Sequence, residues 1–126
     1  MAVTNRKRKE QISTDLEKLV KGEVLADIFN RVAFSTDASI YQIMPVCIVA
    51  VLDADDISAV VKYAARNNIP LAPRGAGSGV AGESLTEGIV IDTSRYMNTI
   101  IGINDDASVV TSQGGVVLDE LNNYLR

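Results

Sequence analysis

The sequence predicts an α/β fold with a β-α-β core and a small mixed sheet. Three observations carry that prediction. Residues 46–52 are a continuous apolar run rich in β-branched side chains, as expected of a strand buried on both faces. Residues 55–66 place Ile57, Val60, Val61 and Ala64 at helical spacing. A further apolar run, Ile89-Val90-Ile91-Asp92, follows a glycine-rich stretch.

Taken in order, residues 1–10 predict a loose start. Ser13 or Thr14 would cap a helix running to about Val20, with Leu16, Leu19 and Val20 on one face. Gly22 interrupts it, and Val24, Leu25, Ile28 and Phe29 suggest a second helical stretch. Residues 34–44 form a polar connection ending at Pro45. After the 46–52 strand comes the acidic run 53–56. Asp53 can accept from the Asp56 amide, and acidic residues suit the positive start of a helix. Asn67 and Asn68 end that helix, and residues 69–72 read as a second strand, parallel to the first. The glycine-rich loop and the 89–92 strand follow, then residues 97–101, a turn at 104–106 and a strand over 108–111. A tight connection at 113–115 leads to a helix over 117–126, with Leu118, Leu121 and Leu125 on one side. That helix has no stop signal, so the chain is expected to be a truncated portion of a longer protein. The organisation expected is a helical extension over 1–33 and a second portion over 34–126.

Composition bounds the function. The chain has 126 residues and a net charge of −4. The basic run Arg6-Lys7-Arg8-Lys9 contributes +4, which leaves −8 for the rest, and that balance argues against nucleic acid as a partner. Tryptophan is absent and aromatic content is 5%, which weakens any base-stacking platform. Histidine is absent too, which removes Ser-His-Asp and Cys-His catalysis and the commonest zinc ligand. Cys47, the single cysteine, lies in an apolar run and reads as a small buried hydrophobe. Neither a secretory segment nor a transmembrane segment is expected, and a cytoplasmic location follows.

The stretch PLAPRGAGSGVAGESL, residues 70–85, holds the chemistry. Gly77-Ser78-Gly79-Val80-Ala81-Gly82 spells G-x-G-x-x-G. That fingerprint means a dinucleotide site only where a helix starts inside it, and here a strand follows too soon. The same residues nearly form a phosphate-binding P-loop, but Glu83 stands where lysine is required. Two like charges at about 4 Å and an effective ε of about 20 repel by roughly 4 kcal/mol. Two readings remain on the residues alone. One is an anion-binding nest of inward-turned amides, with Gly75, Gly77, Gly79 and Gly82 supplying backbone freedom and Ser78 and Ser84 supplying hydroxyls. The other is a mobile glycine-rich turn that binds nothing. The competing function is a non-enzymatic anion-binding or interaction module that would use the loop for a generic anion.

A strand, an acid-capped helix, N-x-I-P-L-x-P-R-G-x-G-S-G-x-x-G and then G-I-V-I-D-x-S together resemble the vanillyl-alcohol oxidase and p-cresol methylhydroxylase flavoprotein superfamily. The similarity is to the first half of its two-part FAD-binding domain, within the branch of FAD-linked D-lactate, glycolate and related 2-hydroxy-acid dehydrogenases. The lead-in FSTDASIYQIMP, residues 34–45, resembles larger members that carry iron–sulfur segments further along, so such a cluster is an expectation for the missing C-terminal part. The resemblance implies that this loop wraps the FAD pyrophosphate. Carried over by position, the implied cofactor contacts are Arg74, Gly75, Ala76, Gly77, Ser78, Gly79, Gly82, Ser84 and Leu85, with Gly114 of the Gln113–Val116 turn near the flavin. Some members attach flavin through a histidine where Ser78 stands, so here FAD should be non-covalent. Ala50 departs from a proline common in relatives, with no evident consequence.

The resemblance also implies oxidation of a small hydroxy acid by the longer protein, with the substrate pocket and proton-transferring groups beyond Arg126. No catalytic residue and no metal ligand is therefore assigned within this chain. The longer protein could lie at the periphery of the inner membrane, and the truncated edge could self-associate. Asp92 reads as a strand-end cap rather than a catalytic carboxylate, Asp105 and Asp106 as a turn rather than a calcium loop, and Arg95 as an ion-pairing residue. Asp37 and Tyr41 suggest a surface or domain-contact role.

Overall fold

The structure is a computed structural model and describes residues 2–106 and 108–126. Its elements are α1 (Ala2–Glu17), β1 (Glu23–Leu25), α2 (Ile28–Ala33), β2 (Cys47–Ala50), α3 (Ala54–Asn67), β3 (Leu71–Arg74), β4 (Ile89–Asp92), β5 (Ile100–Ile103), β6 (Val110–Ser112) and α4 (Leu118–Tyr124). The α/β class holds, with a mixed four-stranded sheet in the order β1-β2-β4-β3 and a separate β5-β6 hairpin.

The parallel core has a feature the linear reading missed. β2 and β3 run parallel, but β4 lies between them and pairs with both. In register, Cys47, Ile89 and Leu71 share one row, and Ala50, Asp92 and Arg74 share the row at the carboxyl end. The return from β3 to β4 therefore joins two parallel neighbours. Such a return needs a dozen or more residues and usually contains a helix. Here residues 75–88 make it with bends and turns alone. β3 forms the sheet edge, which suits Pro73, since a proline cannot donate to a ladder on both sides.

The core lies against one face of the sheet. Cys47, Val49 and Val51 from the β2 region and Ile89 and Ile91 from β4 meet Val60 and Ala64 of α3 and Ile12 and Leu16 of α1. Ile48, Ala50 and Val90, which alternate to the other face, are also fully buried. β2 is thus buried on both sides, as its unbroken apolar run predicts. Val61 is the exception on α3, being 43% exposed.

Three expectations are corrected at the N-terminus. Residues 1–10 were expected to be loose, yet α1 runs from Ala2. Arg, Lys, Glu and Gln are good helix formers, and Arg6 pairs with Glu10 one turn on. Ser13 and Thr14 are interior rather than caps, and their hydroxyls donate to the carbonyls of Lys9 and Glu10. Val24 and Leu25 belong to a strand, not a helix. β1 pairs antiparallel with the otherwise open edge of β2, matching Val24 with Val49 and Leu25 with Ile48. The second helix starts only at Ile28, capped by Asp27, which accepts from the amides of Phe29 and Asn30.

Elsewhere the boundaries move by a few residues. The second predicted strand shifts from 69–72 to Leu71–Arg74, because β4 sets its register. Asn68 ends α3 in the left-handed conformation, with φ 52° and ψ 49°. Gly22 approaches β2 so closely that a Cβ there would lie 2.1 Å from the Ala50 carbonyl oxygen. Among the described residues no helix is long and apolar enough to cross a membrane.

Candidate functional site

The glycine loop begins where the parallel strands end. Ligands of open α/β sheets gather at the carboxyl ends of the strands. A second segment reaches the same place. A Cβ on Gly75 would lie 3.5 Å from the Gly114 carbonyl oxygen, and one on Gly115 would strike the Thr93 carbonyl oxygen at 2.2 Å. The Gly115 amide donates to the Met97 carbonyl at 2.8 Å, and Gln113 holds Thr99 through both its amide and its side chain. The structure therefore brings Gly75 and Gly114 together although 39 positions separate their numbers.

The lead-in, residues 34–44, straps the loop down from one side. The Ala38 amide donates to the Gly77 carbonyl at 3.0 Å. The Arg74 Nη1 donates to the Thr36 carbonyl at 2.7 Å, and its guanidinium lies 4.9 Å from the centre of the Phe34 ring. Buried Ser84 donates its hydroxyl to Asp37 Oδ2 at 2.9 Å, and the Tyr41 ring lies against Gly82. Hydrogen bonds from Ser39, then from Ser84, and the nearby Arg74 charge hold the Asp37 carboxyl below its ordinary value. Leu85 is buried below the loop.

Within the loop, Gly77 and Gly82 adopt φ of 69° and 78°, a region that side chains disfavour. No helix starts at Gly79 or Gly82, so the dinucleotide and P-loop patterns fail here for the structural reason anticipated. The amides of residues 75–80 have no acceptor among the described residues. Ala81 donates to Glu83 Oε2 at 3.1 Å, and Leu85 donates to the Gly82 carbonyl at 3.1 Å. Ala76, Ser78 and Val80 are exposed. The loop is thus a run of unclaimed donors held in shape from below and from the side, which is the arrangement an anionic group would use.

The sequence-predicted residues sort by this geometry. Gly75, Ala76, Gly77, Ser78, Gly79 and Gly114 border the open donors. Arg74, Gly82, Ser84 and Leu85 shape the loop from behind, and the Arg74 guanidinium is engaged by Thr36 and Phe34. Sequence reasoning missed the strap. Its one local signal is Asp37-x-Ser39, a turn-forming pair in which the Ser39 amide donates to Asp37.

The remaining candidates are structural. Asp92 caps its strand end by accepting from the amide and hydroxyl of Ser94. Asp106 accepts from Ser108 within the hairpin turn. Arg95 and Tyr96 both engage Glu23 of β1. Cys47 is buried, and burial pushes its thiol up to about 12, so it stays protonated. Among the described residues no three His, Cys, Asp or Glu side chains group closely enough to hold a metal ion.

Comparison with known proteins points the same way as the geometry. A family profile described as an FAD binding domain matches residues 45–126. A D-2-hydroxyglutarate dehydrogenase from Pseudomonas putida is 43% identical over 109 residues, which cover 84% of this chain and 11% of that protein. A glycolate oxidase subunit from Bacillus subtilis is 33% identical over 89 residues, covering 69% of this chain and 19% of the subunit. Among solved structures, 6-hydroxy-D-nicotine oxidase from Arthrobacter nicotinovorans superposes with a TM-score of 0.71 at 29% identity, over 83% of this chain and 23% of its own. The chain thus spans only a small part of the proteins it matches.

Proposed function

The chain belongs to the FAD binding domain family, and from that premise we propose that it forms the pyrophosphate-binding part of a flavoprotein that oxidises a small 2-hydroxy acid. The observation that carries the reading is the run of unclaimed amides at 75–80, placed beside Gly114 at the carboxyl ends of β3 and β4. The residues present fit a diphosphate. The donors are backbone groups, the glycines leave room for close approach, and the exposed Ser78 hydroxyl adds one more donor.

In this reading Gly75, Ala76, Gly77, Ser78, Gly79 and Gly114 bind the cofactor, while Arg74, Gly82, Ser84 and Leu85 hold the loop that does so. When bound, FAD supplies a two-electron acceptor for oxidation of the hydroxy acid. The protein's part is binding and orientation. Serine at position 78 forms no bond to the isoalloxazine ring, so the cofactor is non-covalent. The substrate class is supported by the two relatives named for D-2-hydroxyglutarate and glycolate, both 2-hydroxy acids. The same proposal includes the division into 1–33 and 34–126, a cytoplasmic setting, and self-association of this chain through exposed apolar residues such as Leu118 and Leu125 of the α4 region.

The test is the visible spectrum of the full-length protein. Purified wild type should be yellow, and denaturation should release all the flavin. Gly77→Asp places a charge and a side chain at φ 69° in the loop, and FAD content should drop at least tenfold while the protein stays folded. A folded wild type that never takes up FAD would remove the proposal.

A further inference from the structure

Glu83 stands out in the loop because it brings an anion to an anion's site. Its carboxylate folds back over the loop. Oε2 accepts from the Ala81 amide at 3.1 Å, and a Cβ built on Gly79 would lie 1.8 Å from Oε1. The carboxylate therefore occupies the space beside the Cα of Gly79, within the stretch whose amides are unclaimed. The side chain is exposed, and among the described residues it forms no ion pair. Among the described residues the Ala81 amide is its one hydrogen-bond partner.

We propose that the Glu83 carboxylate, lying against Gly79, must swing aside before the diphosphate of a bound cofactor can settle on the open amides of the loop. The inference rests on the FAD reading above. The carboxylate holds the Ala81 amide, next to the open run 75–80, so what it opposes is the approach of a second anion, because at a few ångströms two negative charges repel even in a wet environment. Glu83 thus lowers the affinity of a loop that would otherwise bind FAD more tightly. It also keeps the amide of Ala81 satisfied while the loop is empty, as an unpaired donor prefers.

The experiment titrates FAD into the apo form of the full-length protein and follows quenching of flavin fluorescence. Glu83→Gln keeps the shape and an oxygen that can accept from Ala81, and removes only the charge. It should bind FAD about tenfold more tightly than wild type at low salt. Glu83→Ala, which vacates the space as well, should bind at least as tightly. The gap should narrow in 0.5 M salt, which screens charges about 4 Å and further apart (order of magnitude). Inorganic pyrophosphate should compete with FAD more effectively in Glu83→Gln. These last two readouts would not move if Glu83 were merely structural.

Wild type that binds FAD, with Glu83→Gln binding equally or more weakly, overturns the role of Glu83 and leaves the FAD reading intact. Folded wild type and variants that all fail to bind FAD overturn both.

Discussion

Two junctions of this molecule follow parallel strands of one sheet, and they treat their backbone donors in opposite ways. After β2, the chain enters α3 with the amides of Val51, Leu52, Asp55 and Asp56 claimed. Asp53 accepts from Asp55 and Asp56, and Asp56 itself accepts from Lys21 at 2.8 Å, Gly22 at 2.9 Å and Leu52 at 2.9 Å. Asp56 is 1% exposed, so one buried carboxylate ties the α1–β1 turn to the end of β2 and the start of α3. After β3, the amides of residues 75–80 find no acceptor among the described residues, and the Glu83 carboxylate beside them is exposed and holds a single amide. A backbone donor needs an acceptor. The first junction supplies acceptors from its own carboxylates, and the second leaves a run of amides open.

The contrast can be broken most directly at Asp56. Asp56→Ala removes the shared acceptor of three amides in part-buried hydrogen bonds, each costing on the order of 1 kcal/mol, so a loss of about 3 kcal/mol is expected in urea unfolding. A loss under about 1 kcal/mol would mean that the carboxylate is dispensable and the two junctions are alike.

A pair of glycine substitutions sharpens it. A Cβ on Gly22 meets the Ala50 carbonyl oxygen, which cannot move without disturbing β2. A Cβ on Gly79 meets only the flexible end of Glu83. Gly22→Ala should cost about 2 kcal/mol, and Gly79→Ala less than about 0.5 kcal/mol. Equal costs would show the loop to be as tightly built as the first junction.

The smallest effect is electrostatic. Hydrogen bonding to Lys21, then to the Asp56 amide, holds the Asp53 carboxyl below its ordinary 3.8, while hydrogen bonding to Asp53 and Asp55 holds Lys21 above 10.5. A lowered folded value means stability that is present above the unfolded pKa and lost as pH falls through the folded one. Lys21 has the opposite sign and loses its share only as pH rises through its raised value. The unfolding midpoint should therefore stay level from pH 7 to about 5 and decline below about pH 4. Lys21→Met should soften that acid decline, and an unchanged pH profile in the variant would place the dependence elsewhere.

Much of this was legible in the chain. The 46–52 run, the helical spacing through Val60 and Ala64, the Asp53 cap and the Asn68 stop are local signals, and each appears where those signals put it. The 89–92 strand matches residue for residue. The glycine loop runs without a helix, as its sequence context indicated. What escaped was contact between distant segments. Nothing near Glu23 says that β1 must complete an open edge of β2, and the charge of residues 6–9 hid a helix anchored by Ile12 and Leu16 further along. The strap from Asp37 to Ser84 and the engagement of Arg74 by Thr36 and Phe34 likewise join residues far apart in number.

The amino-acid sequence by itself determined which segments are strand, helix and loop wherever a periodic apolar pattern or a capping side chain acts within a few residues. It also determined the chemistry available to the loop, because glycines, two serines and the absence of histidine are properties of composition. Only the tertiary structure decided that β4 lies between β2 and β3, that Gly114 meets Gly75, and that Asp56 is buried while Glu83 faces solvent. The physical reason is that strand order and carboxylate burial depend on which distant backbone groups lack partners, and that is settled only when the sheet is assembled.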